Sequence, residues 1–244
     1  MLQFGASLPY CGSAPLTGEL WARWNLDPVL LVALLILLLC RGYFTGPRGK
    51  FPFWTGWAVL CVAFVSPLCA LSSGLFSARS VHHLLLVTAA APLLAHAGLR
   101  LKGVPLSGAL VLHVLLFWGW HLPVAYEAAL SSYAVYWLMQ LTLLGSALAF
   151  WGALYDEEAG VPALTATAIM VGQMGLLGAL LTFAPEALYG PHLATTGLYG
   201  LTPLEDQQLA GLLMWVASLP LAVLAALPAV RRHLLRAASR MTAA

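Results

Sequence analysis

Apolar residues in this chain come in long runs without alternation. Seven such runs can be marked out: about residues 28–44, 51–71, 77–96, 105–122, 133–155, 161–184 and 205–229. Roughly 20 consecutive apolar residues are enough for a helix to cross a bilayer. The strands of a membrane barrel would instead alternate polar and apolar positions over about 10 residues. No water reaches the bilayer core, so a spanning segment must satisfy its own backbone, and here only helices fit the pattern. Prolines and glycines mark the ends of runs, as at Pro28, Pro105, Pro123 and Gly190-Pro191. Pro92 and Pro220 fall inside runs and predict kinked helices.

Composition sharpens this into a membrane protein. Of 244 residues, 61% are hydrophobic and 8% charged, and the mean hydropathy is +0.87. A soluble domain carries about a quarter charged residues, so this chain has too few polar groups to cover a soluble surface. The expectation is an all-α polytopic protein, a seven-transmembrane-helix bundle forming a single membrane domain over residues 1–244.

Charge predicts its orientation. Nine of the 11 basic residues follow the first, third or seventh run: Arg41, Arg48, Lys50, Arg100, Lys102, Arg231, Arg232, Arg236 and Arg240. Only Arg23 and Arg79 fall on the other side. Basic loops stay cytoplasmic, so the N-terminus is expected outside and the C-terminus inside. Acidic residues weigh little in this rule, and Asp156, Glu157 and Glu158 leave the assignment unchanged. The first 27 residues lack a basic stretch followed by a long apolar one, so no cleaved signal peptide is expected. Trp21 and Trp24 suit the interface.

Of four cysteines, Cys11 and Cys69 share the outer side, where a disulfide is permitted; the favoured reading makes all four small apolar residues. There is no phosphate-binding glycine loop, no basic patch interleaved with aromatics and no catalytic set. Nucleic acid is not an expected partner, the lipid bilayer is, and the protein is read as not an enzyme.

Ionisable residues inside membrane helices are costly and usually face the bundle interior. Here they gather at one level. The third run opens with Arg79, His82 and His83; the fourth closes with His121, with His113 two turns deeper; the seventh opens with Glu205, Asp206, Gln207 and Gln208, with Met214 two turns further in. His82 and His83 lie roughly 100 degrees apart on a helix, so both cannot face one neighbour equally. Glu205 and Asp206 also suit the positive end of a helix dipole. His192 reads as a solvated loop residue, His113 as a hydrogen-bonded interior histidine, and Met139, Met170, Met174 and Met214, taken singly, as packing. Chemically, imidazoles with a thioether and a carboxylate suit copper. Two histidines from different helices could equally hold a haem iron. An ion pair of Arg79 with Asp206 or Glu205 could simply lock helices together.

The strings FSARSVHHLLL, FWGWHLP followed by Tyr126 and Ala128–Leu130, and EDQQLAGLLMW resemble the CtaG family of membrane proteins, which assist assembly of caa-type cytochrome c oxidases. The likeness runs from Trp24-Asn25-Leu26-Asp27-Pro28 to the seventh run. It implies an assembly factor in a bacterial inner membrane that aids copper insertion from the outer side. Its implied partners are cytochrome c oxidase subunits or a periplasmic copper chaperone. The residues expected to hold copper are His83, His121, His82, Met214 and Asp206. A bis-histidine haem cytochrome and a scaffold without metal are the alternatives. The family pattern in the third run is similar to His-Met-x-Gln-His. Here Arg79 replaces the first histidine, Ser80 the methionine and His82 the glutamine, while His83 matches. In the fifth run Gln140 stands where the family tends to show a histidine.

Overall fold

A computed structural model describes residues 9–101, 103–156 and 161–242. Lys102, Glu157 and Glu158 of the charge pattern, and the first eight residues, lie outside that range. Helices dominate, and no strand occurs among the described residues. The elements are α1 (Pro28–Cys40), α2 (Lys50–Phe64), α3 (Leu68–Gly74) and α4 (Phe76–Ala97). They continue with α5 (Leu106–Trp120), α6 (Pro123–Ser131), α7 (Tyr133–Asp156), α8 (Val161–Phe183) and α9 (Pro203–Thr242).

Every one of the seven apolar runs is helical, yet they are not seven equal spans. Four helical stretches are long and apolar enough to cross a membrane alone: Phe76–Ala97, Tyr133–Asp156, Pro162–Phe183 and Pro203–Arg232. Two more spans are possible if bent pairs count as one each, α2 with α3 at 43° and α5 with α6 at 75°. The first run is short, an apolar helix over Pro28–Tyr43. The chain is thus a multi-pass membrane protein with four to six candidate spans. The last run is also longer than its apolar core suggested, because α9 continues to Thr242.

Local chemistry explains the boundaries. Asp27 starts α1 by accepting from Val29 N at 2.8 Å and Leu30 N at 3.0 Å, with Pro28 at the first helical position. Thr202 and Glu205 form a capping box at the head of α9, Thr202 Oγ1 donating to Glu205 Oε2 at 2.8 Å. Within α4 the turn Leu85–Ala90 widens to a π-helix just ahead of Pro92. In that register the Val87 carbonyl would look to residue 92, and proline has no N–H to give. Trp151 of α7 supplies the missing donor, its Nε1 reaching Val87 O at 2.8 Å.

The core forms where α4 packs on α2, α7 and α9, α5 packs on α7, and α9 packs on α8. The α8–α9 crossing is close because Gly178 faces Gly211; a Cβ on Gly211 would stand 2.5 Å from Gly178 O.

The cysteine reading needs correction. Cys11 and Cys69 form a disulfide, with Cα atoms 5.3 Å apart, that ties the N-terminal segment to α3. Only Cys40 and Cys61 remain as free thiols. The pairing was open in sequence because 58 residues separate the partners.

Candidate functional site

At the end of the bundle where α4 and α9 begin and α5 ends, five helices, α4, α5, α7, α8 and α9, line a cavity with about 10 Å³ of open volume. That is room for about one water molecule or ion. Its walls include Ser80 and His83 of α4, His121 after α5, Met174 of α8 and Met214 of α9. The imidazoles of His83 and His121 are nearly perpendicular, with ring centroids 5.6 Å apart. All five side chains are buried.

His121 is held from two sides. Its Nδ1 lies 2.7 Å from the Phe117 carbonyl and, facing an acceptor, carries the proton. Its own carbonyl accepts from Tyr189 Oη at 2.8 Å. A protonated Nδ1 leaves Nε2 with a free lone pair, the arrangement seen where histidine binds a metal through Nε2. Among the described residues, His83 has no hydrogen-bond partner on either nitrogen, and Ser80 Oγ has none either. Buried polar atoms are normally paired, so orphans lining a cavity mark a place for a ligand.

The two tryptophans of the WGWHLP stretch set the angle of this corner. Trp118 Nε1 donates to Gln173 Oε1 at 3.0 Å and Trp120 Nε1 to Thr142 Oγ1 at 2.8 Å, tying the end of α5 to α8 and α7. Pro123 then starts α6 at 75° to α5.

His82 faces away from the cavity. It packs edge-on against Phe64 of α2, ring centroids 5.0 Å apart, next to the Ala63 carbonyl. Adjacent positions on α4 thus divide between two neighbours, as the helical offset required.

Asp206 is also outside the cavity. Its carboxylate accepts from Phe76 N at 2.6 Å, Ser77 N at 3.2 Å and Ser77 Oγ at 2.5 Å. It therefore caps α4, the helix that carries His83, from across the bundle. Gln207 beside it accepts from Leu188 N at 2.7 Å and donates to Glu186 O at 3.2 Å, pinning the loop before α9. The DQQ string is a clamp, and Met214 two turns deeper is the part of α9 that reaches the cavity.

Arg79 is buried one turn before His83, and no ion pair joins it to an acid among the described residues. Its guanidinium lies over the Tyr136 ring, 5.3 Å from the centroid, with the phenols of Tyr126 and Tyr136 as polar neighbours. None of its three nitrogens makes a hydrogen bond of ordinary geometry. Gln140, one turn beyond Tyr136, is buried with both amide atoms unpaired.

His192 corrects another expectation. It is buried, and Tyr126 Oη lies 2.7 Å from its Nε2. Burial, with Arg79 nearby, pushes its imidazole down to about 4. An unfolded histidine titrates near 6.5, so the unfolded chain binds more protons below that pH. Stability is therefore fully present above about pH 6.5 and declines as the pH falls toward 4. Thermal melting of the wild type should drop across that window, and His192→Gln should flatten the drop.

Met174, like Met214, was read from sequence as packing, and the signal that marks it is spatial: it lines the same cavity as Met214 of the neighbouring helix, 40 positions along the chain. His113 met its expectation, its Nδ1 lying 2.9 Å from Ser146 Oγ. Among the described residues no three His, Cys, Asp or Glu side chains converge on one point, so the cavity's donors are two imidazoles and two thioethers.

No curated protein and no solved structure matches the chain. One family model does match, described as cytochrome c oxidase caa3 assembly factor (Caa3_CtaG), over residues 99–235. The match includes His121, Met174, Asp206 and Met214 and begins after α4. It spans more than half of the chain, which belongs to the caa3 cytochrome c oxidase assembly factor family.

Proposed function

We propose that the protein serves oxidase assembly by holding a cuprous ion transiently between His83 and His121, with Met174 and Met214 as thioether donors, and passing it on. The observation that carries this reading is the cavity, lined by two imidazoles and two thioethers, in which neither His83 nitrogen has a hydrogen-bond partner among the described residues. Soft thioethers select Cu(I), and imidazole completes a small set of donors. The 5.6 Å between ring centroids leaves room for two nitrogens each about 2 Å from one ion. Ser80 stands at the position of the family's methionine, and Met174 and Met214 provide the sulfur that Ser80 lacks. Asp206 is a positioning residue that fixes α4, and His82 belongs to the α2 interface.

In this reading the ion is cargo. It arrives from a periplasmic copper chaperone and leaves for an oxidase subunit, and the protein itself performs no bond chemistry. In the same reading the short α1 and the two bent pairs each count as a span, which makes the bundle one membrane domain of seven spans in a bacterial inner membrane, its cavity toward the outer face as the basic residues imply. A haem between His83 and His121 is disfavoured by size, since the cavity is far smaller than a porphyrin.

The test is copper content after cuprous loading and desalting. His83→Ala and His121→Ala should each lose most of the bound copper, while His82→Ala should keep it. Copper retained by both His83→Ala and His121→Ala would place the ligands elsewhere.

A further inference from the structure

The turn that joins α1 to α2 forms a pocket of about 190 Å³. Its lining is Arg41, Gly42, Thr45, Lys50, Phe53 and Trp54. Thr45 N donates to Arg41 O at 2.8 Å and closes the turn. The turn is seated on the end of α4, where Gly49 lies so close to the Ala97 carbonyl that a Cβ would stand 2.5 Å from the oxygen. The pocket is thus part of the packed bundle.

Its charge is written in the sequence. No acid occurs between Asp27 and Glu127, while Arg41, Arg48 and Lys50 all fall in or beside this turn. Among the described residues neither Arg41 nor Lys50 has an acidic partner, and Asp156 pairs with Arg100. Arg41 stacks on the Trp54 ring instead, its guanidinium 4.9 Å from the centroid. Thr45 Oγ1 is buried and, among the described residues, has no hydrogen-bond partner. A buried hydroxyl is normally paired, so an orphan lining a pocket with two cations marks a place for an oxygen anion.

We propose that this pocket holds the headgroup of one anionic phospholipid, with Arg41 and Lys50 neutralising its phosphate and Thr45 Oγ1 donating to a phosphate oxygen. Charge complementarity selects the phosphate, and guanidinium suits it because it offers paired donors. The apolar border selects a lipid as its source. Leu39, two positions before Arg41, and Phe51, directly after Lys50, are exposed apolar side chains, and the exposed Trp54 suits the headgroup level of a bilayer. A soluble acidic segment would use the charges alone, whereas a phospholipid matches the charges and the border together. Basic pockets between membrane helices recognise anionic headgroups in this way. The pocket shares no residue with the His83 cavity, and the proposal does not depend on copper.

The experiment uses the full chain in detergent, titrated with phosphatidylglycerol or phosphatidylcholine, with bound lipid counted by native mass spectrometry. The wild type should retain about one phosphatidylglycerol and prefer it over phosphatidylcholine by about tenfold or more. Arg41→Gln and Lys50→Gln should each lower that preference by about fivefold. Thr45→Val should lower retention of phosphatidylglycerol. Arg48→Gln removes a charge from the same turn outside the pocket and should change the preference by less than about twofold. Equal retention of the two lipids by the wild type would overturn the proposal. So would a drop in Arg48→Gln as large as that in Arg41→Gln, because the preference would then come from the general charge of the turn and not from the pocket. Displacement of the lipid by millimolar inorganic phosphate would reduce the pocket to a bare anion site and also overturn it. If one pocket variant does not fold, the other, compared with Arg48→Gln, decides.

Discussion

Asp206→Ala should be the most destabilising single change at this end of the bundle. The carboxylate is fully buried and accepts three hydrogen bonds from Phe76 N, Ser77 N and Ser77 Oγ. Removing it leaves those donors buried without partners, at about 1–3 kcal/mol each. It also removes a negative charge from the positive end of α4. The sum, on the order of 4 kcal/mol, is a large share of an ordinary folding margin of about 5–15 kcal/mol. The variant should melt well below the wild type in the same detergent, and its copper content should fall because α4 no longer holds His83 in place. Asp206→Asn, which keeps the shape and one acceptor, should be milder. A melting temperature unchanged in Asp206→Ala would show that the cap is not needed.

Arg79→Gln should tighten copper binding. Arg79 is a buried cation with no acid paired to it among the described residues, one helical turn before His83. At about 8 Å and an effective dielectric near 20, a fixed charge opposes a monovalent ion by about 2 kcal/mol, and a divalent one by about twice that. Neutralising it should raise cuprous affinity by about tenfold or more and slow transfer to an acceptor. Because the cupric state gains more, the midpoint potential of bound copper should fall by about 60 mV for each tenfold difference. Arg79→Lys keeps the charge and should change neither quantity. Competition with a cuprous chelator reads the affinity. Equal affinity in the wild type and Arg79→Gln would mean that the guanidinium is too far from the ion to matter. On this account Arg79 is the residue that keeps binding weak enough for handover.

Much of the fold could be read from the chain, and the reasons are local. Long apolar runs bounded by Pro28, Pro105 and Pro123 became helices because helix ends follow proline chemistry. The convergence of His83, His121 and Met214 was legible because helix direction alternates and depth can be counted in turns. What stayed hidden depends on contacts across the bundle. The partners of Asp206 lie 129 and 130 positions away, so nothing near it in sequence reveals a cap on another helix. His192 looked solvated among polar loop residues, and its burial against Tyr126 needs the loop to fold back over α6. His82 and His83 posed a choice that only the placement of Phe64 could settle. The break of the second run after Phe64 carries a clear Ser66-Pro67 signal, which a smooth hydropathy pattern conceals.

The most direct test of the copper reading is the number of copper atoms per chain in protein loaded with cuprous ion and desalted, with an absorption spectrum taken on the same sample. The account predicts about one copper in the wild type, its loss in both His83→Ala and His121→Ala, and no Soret band. A wild-type protein that holds no copper, or that shows a Soret band, would contradict it.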